Sequence, residues 1–203
     1  MPLPLRLILA SGSPRRKALL EDLGLDFDIQ IANVDECPLP GENPEAHCVR
    51  LAVEKSEAIA ASHPDALTLG ADTAVVVDQA ILGKPADKAE ARRMLTTISG
   101  RWHTVVTAFA LRCPEKGIEI ERAVKSDVFI RKLSDAQVRW YIETGEPMDK
   151  AGAYAIQGVG ASLVREVKGS YTCVVGLPLA ETVEELEALF GPACLFDRAG
   201  KRK

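Results

Sequence analysis

Two alternating apolar runs, residues 103–112 and 118–131, are separated by little more than Pro114-Glu115-Lys116-Gly117. So short a link cannot carry a crossover, so the runs must pair as a long antiparallel hairpin. In the second run Ile118, Ile120, Val124, Val128 and Ile130 share one parity, as a strand with one buried face requires. The chain before the hairpin follows another pattern. Residues 5–10 read as a buried strand that breaks at Ser11-Gly12-Ser13. A helix starts at once, with Ser13 as N-cap, Pro14 at the first helical position, Leu19, Leu20 and Leu23 as its apolar stripe, and Gly24 closing it. A strand near 27–32, a long helix opened by Asn43-Pro44 and ending before Pro64, and a strand over 67–77 complete the parallel units.

Asp78-Gln79 predicts a turn into residues 80–83. Asp87 with Glu90, and Ser134 with Gln137, have the form of capping boxes for helices ending near Gly100 and Thr144. A glycine-rich stretch over 152–160 leads into residues 161–167, and Leu177-Pro178 precedes a C-terminal helix. The order of elements predicts an α/β fold with a mixed β-sheet flanked by helices. No repeat or low-complexity linker divides the chain, so one domain over 1–203 is expected, with a basic tail from about residue 195 that is loose.

The net charge of −4 argues against nucleic acid as a partner. Any polyanion must be met by a local basic cluster. The five cysteines are scattered and show no Cys-x-x-Cys spacing, the N-terminus does not resemble a signal peptide, and the apolar stretches are too short to cross a bilayer. These features predict a cytoplasmic protein without a membrane partner.

Three groups of residues invite chemistry. At Ser11-Gly12-Ser13-Pro14-Arg15-Arg16 a helix N-terminus offers free backbone N–H groups, two serines offer hydroxyls, and Arg15 and Arg16 can grip phosphate. A well-capped surface helix with ordinary arginines fits the same spacing, and the P-loop pattern is absent. In Gly70-Ala71-Asp72-Thr73, Asp72 lies inside an apolar strand, where a carboxylate needs a cation, a metal or a catalytic task. Backbone N–H groups at a strand end would also satisfy it. Lys55 and Lys84 are each unremarkable alone, and Glu36 could hold a hard cation through oxygen or be a plain loop carboxylate. His47, His63 and His103 show no ligand spacing and read as structural or surface residues.

The motifs from Leu9 to Arg16, Gly70-Ala71-Asp72-Thr73, Gly83-Lys84-Pro85, Ser99-Gly100-Arg101, residues 150–158 and Val175-Gly176-Leu177-Pro178 resemble, in order, those of the Maf family of nucleotide pyrophosphatases. The resemblance runs from residue 7 to about residue 190. It implies an elongated mixed sheet shaped like that of the inosine-triphosphate pyrophosphatases. The implied reaction cleaves a nucleoside triphosphate between its α and β phosphates, with a divalent metal (Mg or Mn) as cofactor and a homodimer as the expected assembly. Asp72 resembles the family's general base, Ser11, Arg15, Arg16, Lys55 and Lys84 its phosphate and substrate contacts, and Glu36 a metal-side acid. Arg15, Thr73 and Gln157 match the branch that acts on dTTP and UTP rather than the one that acts on 7-methyl-GTP.

Glutamine can both donate to and accept from a pyrimidine edge, so Gln157 and Thr73 are expected to read the base while Arg15 shapes the pocket. Sequence leaves Asp72 open as base, metal ligand or both. A non-catalytic nucleotide-binding regulator linked to septum formation is the alternative of another class, and an acid among so many cations favours the enzyme.

Overall fold

The structure, a computed structural model, describes residues 3–196. Strand β1 (Leu7–Leu9) is followed by α1 (Pro14–Asp22), β2 (Phe27–Ile29), α2 (Pro44–Ala60) and β3 (Leu67–Val77). β1 lies between β2 and β3 and is parallel to both. All three of its residues are buried, Leu7 and Leu9 against Leu20, Phe109 and Leu177, and Ile8 on the other face against Ile59 and Ala66. Burial on both faces is what a parallel strand covered by helices requires, and each such side chain contributes about 1.5–3 kcal/mol.

After β3 come β4 (Ala80–Leu82), α3 (Lys88–Ile98), β5 (Trp102–Cys113), β6 (Ile118–Ile130), α4 (Asp135–Glu143), β7 (Val164–Lys168), α5 (Tyr171–Val175), α6 (Leu179–Phe190) and α7 (Ala193–Phe196). β5 and β6 form the expected long hairpin, with residues 102–113 paired one to one against 118–129. β5 also pairs antiparallel with β3, and β6 with β7, giving the order β2-β1-β3-β5-β6-β7 with β4 attached to β3. The fold is therefore α/β with a mixed seven-stranded sheet.

One edge of β3 decides where a ligand can go. Residues 68–76 pair with β5 on one edge. On the other, β1 takes residues 67–69 and β4 takes residues 75–77. Residues 70–74 are left without a strand partner there, among the described residues. Gly70, Asp72 and Ala74 face α2, while Ala71, Thr73 and Val75 face the opposite side. A Cβ on Gly70 would stand 2.2 Å from the Ala52 carbonyl oxygen, so the helix rests on bare strand backbone. Small residues on β5 (Ala108 and Ala110) complete this close seat for α2.

Several boundaries differ from the sequence expectation. β1 and β2 are three residues each, because the neighbouring strand pairs only that far. Residues 146–162 fold into three short 3₁₀ turns, and the last strand begins only at Val164. α5 escaped periodicity because Tyr171–Val175 is short and rich in β-branched residues; its start is held by Ser170, whose hydroxyl accepts from the Cys173 N–H. Ser134 and Gln137 form a true capping box. Asp87 does not: it caps Glu90 N, but the Glu90 carboxylate returns to Ala86 N, one residue too early. The tail expected to be loose is helical as far as Phe196, with Leu195 buried, and the rest lies outside the described residues. All five cysteines are free thiols, and no described helix is long and apolar enough to cross a membrane.

Candidate active site

Asp72 sits in the gap on β3, 9% exposed. Its Oδ1 accepts from Lys55 Nζ at 2.7 Å, while Oδ2 takes no protein hydrogen bond among the described residues. Lys55 projects from α2 two turns after His47 and one after Leu51, on the face packed against the strand. Its ammonium also meets Glu36 Oε1 at 2.6 Å. One buried cation therefore joins a strand acid and a loop acid, leaving a third N–H for the cleft. Burial opposes ionisation of Glu36, but the hydrogen bond and charge of Lys55, aided by Lys84 and Arg16, hold its carboxyl below the ordinary range.

The Glu36 segment is strapped to α2 by Glu42. Its carboxylate accepts from Arg50 Nε at 2.7 Å and Nη2 at 2.9 Å, from Leu39 N at 3.0 Å and from His47 Nδ1 at 3.1 Å. Arg50 holds this carboxyl down to about 2 against the cost of burial. Arg50 also donates to the Cys37 carbonyl.

The second component is the start of α1, at the carboxyl end of β1, where α/β sheets place ligands. The Ser13 hydroxyl accepts from Arg16 N, Pro14 follows it, and no acid stands in the first turn. The remaining positive end of the helix is open to an anion. Arg16 is 9% exposed and donates to the Gly176 carbonyl (2.8 Å), Ser11 Oγ (3.0 Å) and Thr73 Oγ1 (3.2 Å). All three acceptors are neutral, and no carboxylate among the described residues pairs with the buried guanidinium. Burial lowers its pKa and Asp72 partly restores it. Thr107 donates to the Cys173 carbonyl at 2.7 Å, which obliges Thr73 to donate to Thr107 at 2.9 Å and to accept from Arg16.

Arg15, Lys84 and Gln157 line the same cleft, of about 780 Å³, a size usual for a small-molecule site. Arg15 Nη1 stands 3.8 Å from Asp149 Oδ2, an exposed pairing worth little. Lys84 and Gln157 are exposed and take no hydrogen bond from the protein among the described residues. All nine residues singled out from the sequence, Ser11, Arg15, Arg16, Glu36, Lys55, Asp72, Thr73, Lys84 and Gln157, thus border one cavity.

Sequence reasoning missed others. Lys150 lines the cleft and is only 14% exposed, with Nζ on the Glu146 carbonyl (2.9 Å) and Asp149 Oδ1 (2.6 Å). A lone lysine in a motif gives no signal of this kind. His47, which from sequence reads as a structural or surface residue, is buried and pairs with Glu42, yet it also borders the cleft, as its spacing to Leu51 and Lys55 on one helix face would suggest. His103 is structural as expected, buried against Tyr154, with burial lowering its pKa to about 4. Among the described residues that line the cleft, five cations (Arg15, Arg16, Lys55, Lys84 and Lys150) stand with three acids, Glu36, Asp72 and Asp149. The cleft is locally basic in an acidic molecule, as a polyanion site must be.

No group of three or more His, Cys, Asp or Glu side chains among the described residues could hold a metal by itself. Glu36 and Asp72 converge on Lys55 Nζ, and such a pair of oxygen donors suits a hard divalent ion completed by phosphate oxygens and water.

The Maf-like protein family model matches residues 6–189. Among curated relatives, the dTTP/UTP pyrophosphatase of Desulfotalea psychrophila is 51% identical over 180 residues, covering 89% of this chain and 92% of that protein. Those of Syntrophus aciditrophicus (50%, covering 90% and 89%) and Anaeromyxobacter dehalogenans (51%, covering 96% and 94%) carry the same name. The solved Staphylococcus aureus Ham1 protein aligns over 94% of this chain and 93% of its own at 14% identity and a TM-score of 0.40, a likeness too loose to argue from. With nearly its whole length matched by the family model and by relatives at half identity, this chain belongs to the Maf family.

Proposed function

We propose that the protein hydrolyses dTTP and UTP to the monophosphate and pyrophosphate, with a divalent cation and with Asp72 as general base. The observation that carries the reading is the state of Asp72. One oxygen is tied to Lys55 and the other is free in a basic cleft, on a strand edge left open between β1 and β4. A carboxylate so held keeps its orientation and has an oxygen with which to take a proton from water. The start of α1 and Arg16 supply the positive field in which the attacked phosphate would lie.

Attack on the α-phosphorus forms one P–O bond and breaks the bond to the β-phosphate bridge, so the leaving group is pyrophosphate. Lys55, Lys84 and Lys150 are the side chains that offset its charge. Glu36, with the phosphate oxygens of the substrate, would hold Mg²⁺ or Mn²⁺, which when bound would offset phosphate charge as a Lewis acid. Gln157 and Thr73 read the pyrimidine. Thr73, committed to Thr107 and Arg16, can offer the base only an acceptor lone pair, and Gln157 supplies the donor and a second acceptor. The names of relatives at about half identity support the same substrates.

A panel of nucleoside triphosphates with and without Mg²⁺, with products resolved, tests the reading. Pyrophosphate and monophosphate from UTP and dTTP are expected. Orthophosphate release would overturn the reaction, and preference for 7-methyl-GTP would overturn the substrate.

A further inference from the structure

Gln157 lies in a segment that belongs to no strand and no α-helix, yet a residue that reads a base must be held in place. Its neighbours show what holds it. Glu146 Oε1 accepts from Gly160 N at 2.8 Å and from the Tyr141 hydroxyl at 2.8 Å, and its Oε2 accepts from Val159 N at 2.9 Å. The Tyr141 oxygen in turn accepts from Ala155 N at 3.1 Å. The backbone is thus gripped two residues before Gln157 and again two and three residues after it. The Gln157 side chain itself takes no hydrogen bond among the described residues and is exposed at the cleft.

The sequence is fitted to this grip. Gly158 has φ +64°, and a Cβ there would stand 2.5 Å from Glu146 Oε2. On Gly160 a Cβ would stand 2.5 Å from the Tyr141 hydroxyl and 2.8 Å from Glu146 Oε1. Tyr141 is fully buried on α4 and cannot swing away. Burial opposes ionisation of Glu146, but the N–H groups of Gly160 and Val159 and the Tyr141 hydroxyl hold its carboxyl below the ordinary range, so it acts as a pure acceptor. Its own carbonyl accepts from Lys150, which ties the loop to the phosphate side of the cleft.

We propose that Glu146, together with Tyr141, is a positioning residue that sets nucleobase selectivity by fixing the backbone that presents Gln157. It does so from behind the loop, without contact to substrate. The proposal rests on Gln157 reading the base, and the test separates the two. The measurement is the ratio of kcat/KM for UTP to that for ATP in Glu146→Gln, Tyr141→Phe, Gln157→Ala and the double variant Glu146→Gln/Gln157→Ala. Loss of one well-placed hydrogen bond to the base corresponds to roughly tenfold.

Glu146→Gln and Tyr141→Phe are expected to lower the ratio about tenfold through KM for UTP rather than through kcat, and Glu146→Gln should add nothing in the Gln157→Ala background. The proposal is overturned if Gln157→Ala loses selectivity while both positioning variants keep it, or if the losses multiply in the double variant. A Gln157→Ala protein with the wild-type ratio overturns the underlying reading of Gln157 instead. Should Glu146→Gln fail to fold, Tyr141→Phe, which removes one hydroxyl and leaves both backbone contacts of the carboxylate, decides alone.

Discussion

The two ends of the cleft are built on opposite plans. At the end where we propose the phosphates lie, side chains stand on regular elements and hold one another: Lys55 on α2 grips Asp72 on β3, and Arg16 on α1 reaches Ser11 and the Gly176 carbonyl. At the end where we propose the base lies, the Gln157 side chain is exposed, and the backbone on either side of it is held by the Glu146 carboxylate and the buried Tyr141. Damage at the first end should therefore appear in kcat, and damage at the second in selectivity.

The largest effect is expected from Gly70→Ala. The added methyl meets Ala52 O at 2.2 Å and must lift α2, pulling Lys55 from Asp72. Overpacking of this kind costs about 1–3 kcal/mol, and kcat should fall by about 100-fold or more. Thermal melting and kcat measure the two, and a destabilised protein with normal kcat would break the assignment of Lys55 and Asp72 to one working unit. Next, Lys55→Ala leaves Asp72 and Glu36 facing each other without their shared cation. A kcat loss of about 100-fold with unchanged UTP-over-ATP selectivity is expected, since the base end is untouched. A change in selectivity as large as the loss of rate would erase the distinction between the two ends.

Arg16→Lys keeps the charge but cannot span Gly176, Ser11 and Thr73, so kcat/KM should drop by roughly tenfold. Full activity in that variant would reduce Arg16 to a point charge. The smallest effect is one of stability. Glu42, held at about 2, contributes stability that is complete above its unfolded pKa near 4.5 and is lost as pH falls toward 2. The Tm gap between the wild-type protein and Glu42→Gln should be widest near pH 7 and close between about pH 4.5 and 2. A gap independent of pH would remove the ion pair from the account of that strap.

The same contrast explains what could be read from sequence. The phosphate end was legible because its residues sit where periodicity ends: Ser13-Pro14 announces a helix start after β1, and Asp72 is conspicuous in an apolar strand. The gap on β3 was not legible, since it depends on where β1 and β4 stop pairing, and short strands have boundaries set by their neighbours. At the other end the family motif points to Gln157, but the segment that carries it shows in sequence only as a glycine-rich stretch. Its order comes from Tyr141 and Glu146, residues on and just after a different helix, through contacts to backbone N–H groups that leave no periodic trace. Lys150 and His47 were missed for a similar reason: a single charged side chain carries no pattern until the fold turns it inward.

Hydrolysis of UTP in ¹⁸O-labelled water, by the wild-type protein and by Asp72→Asn, tests the central claim most directly. Attack on the α-phosphorus by a water activated by Asp72 predicts label in UMP, none in pyrophosphate, and a kcat lower by about 100-fold or more in the variant. Label in pyrophosphate or orthophosphate, or full activity of Asp72→Asn, would contradict it.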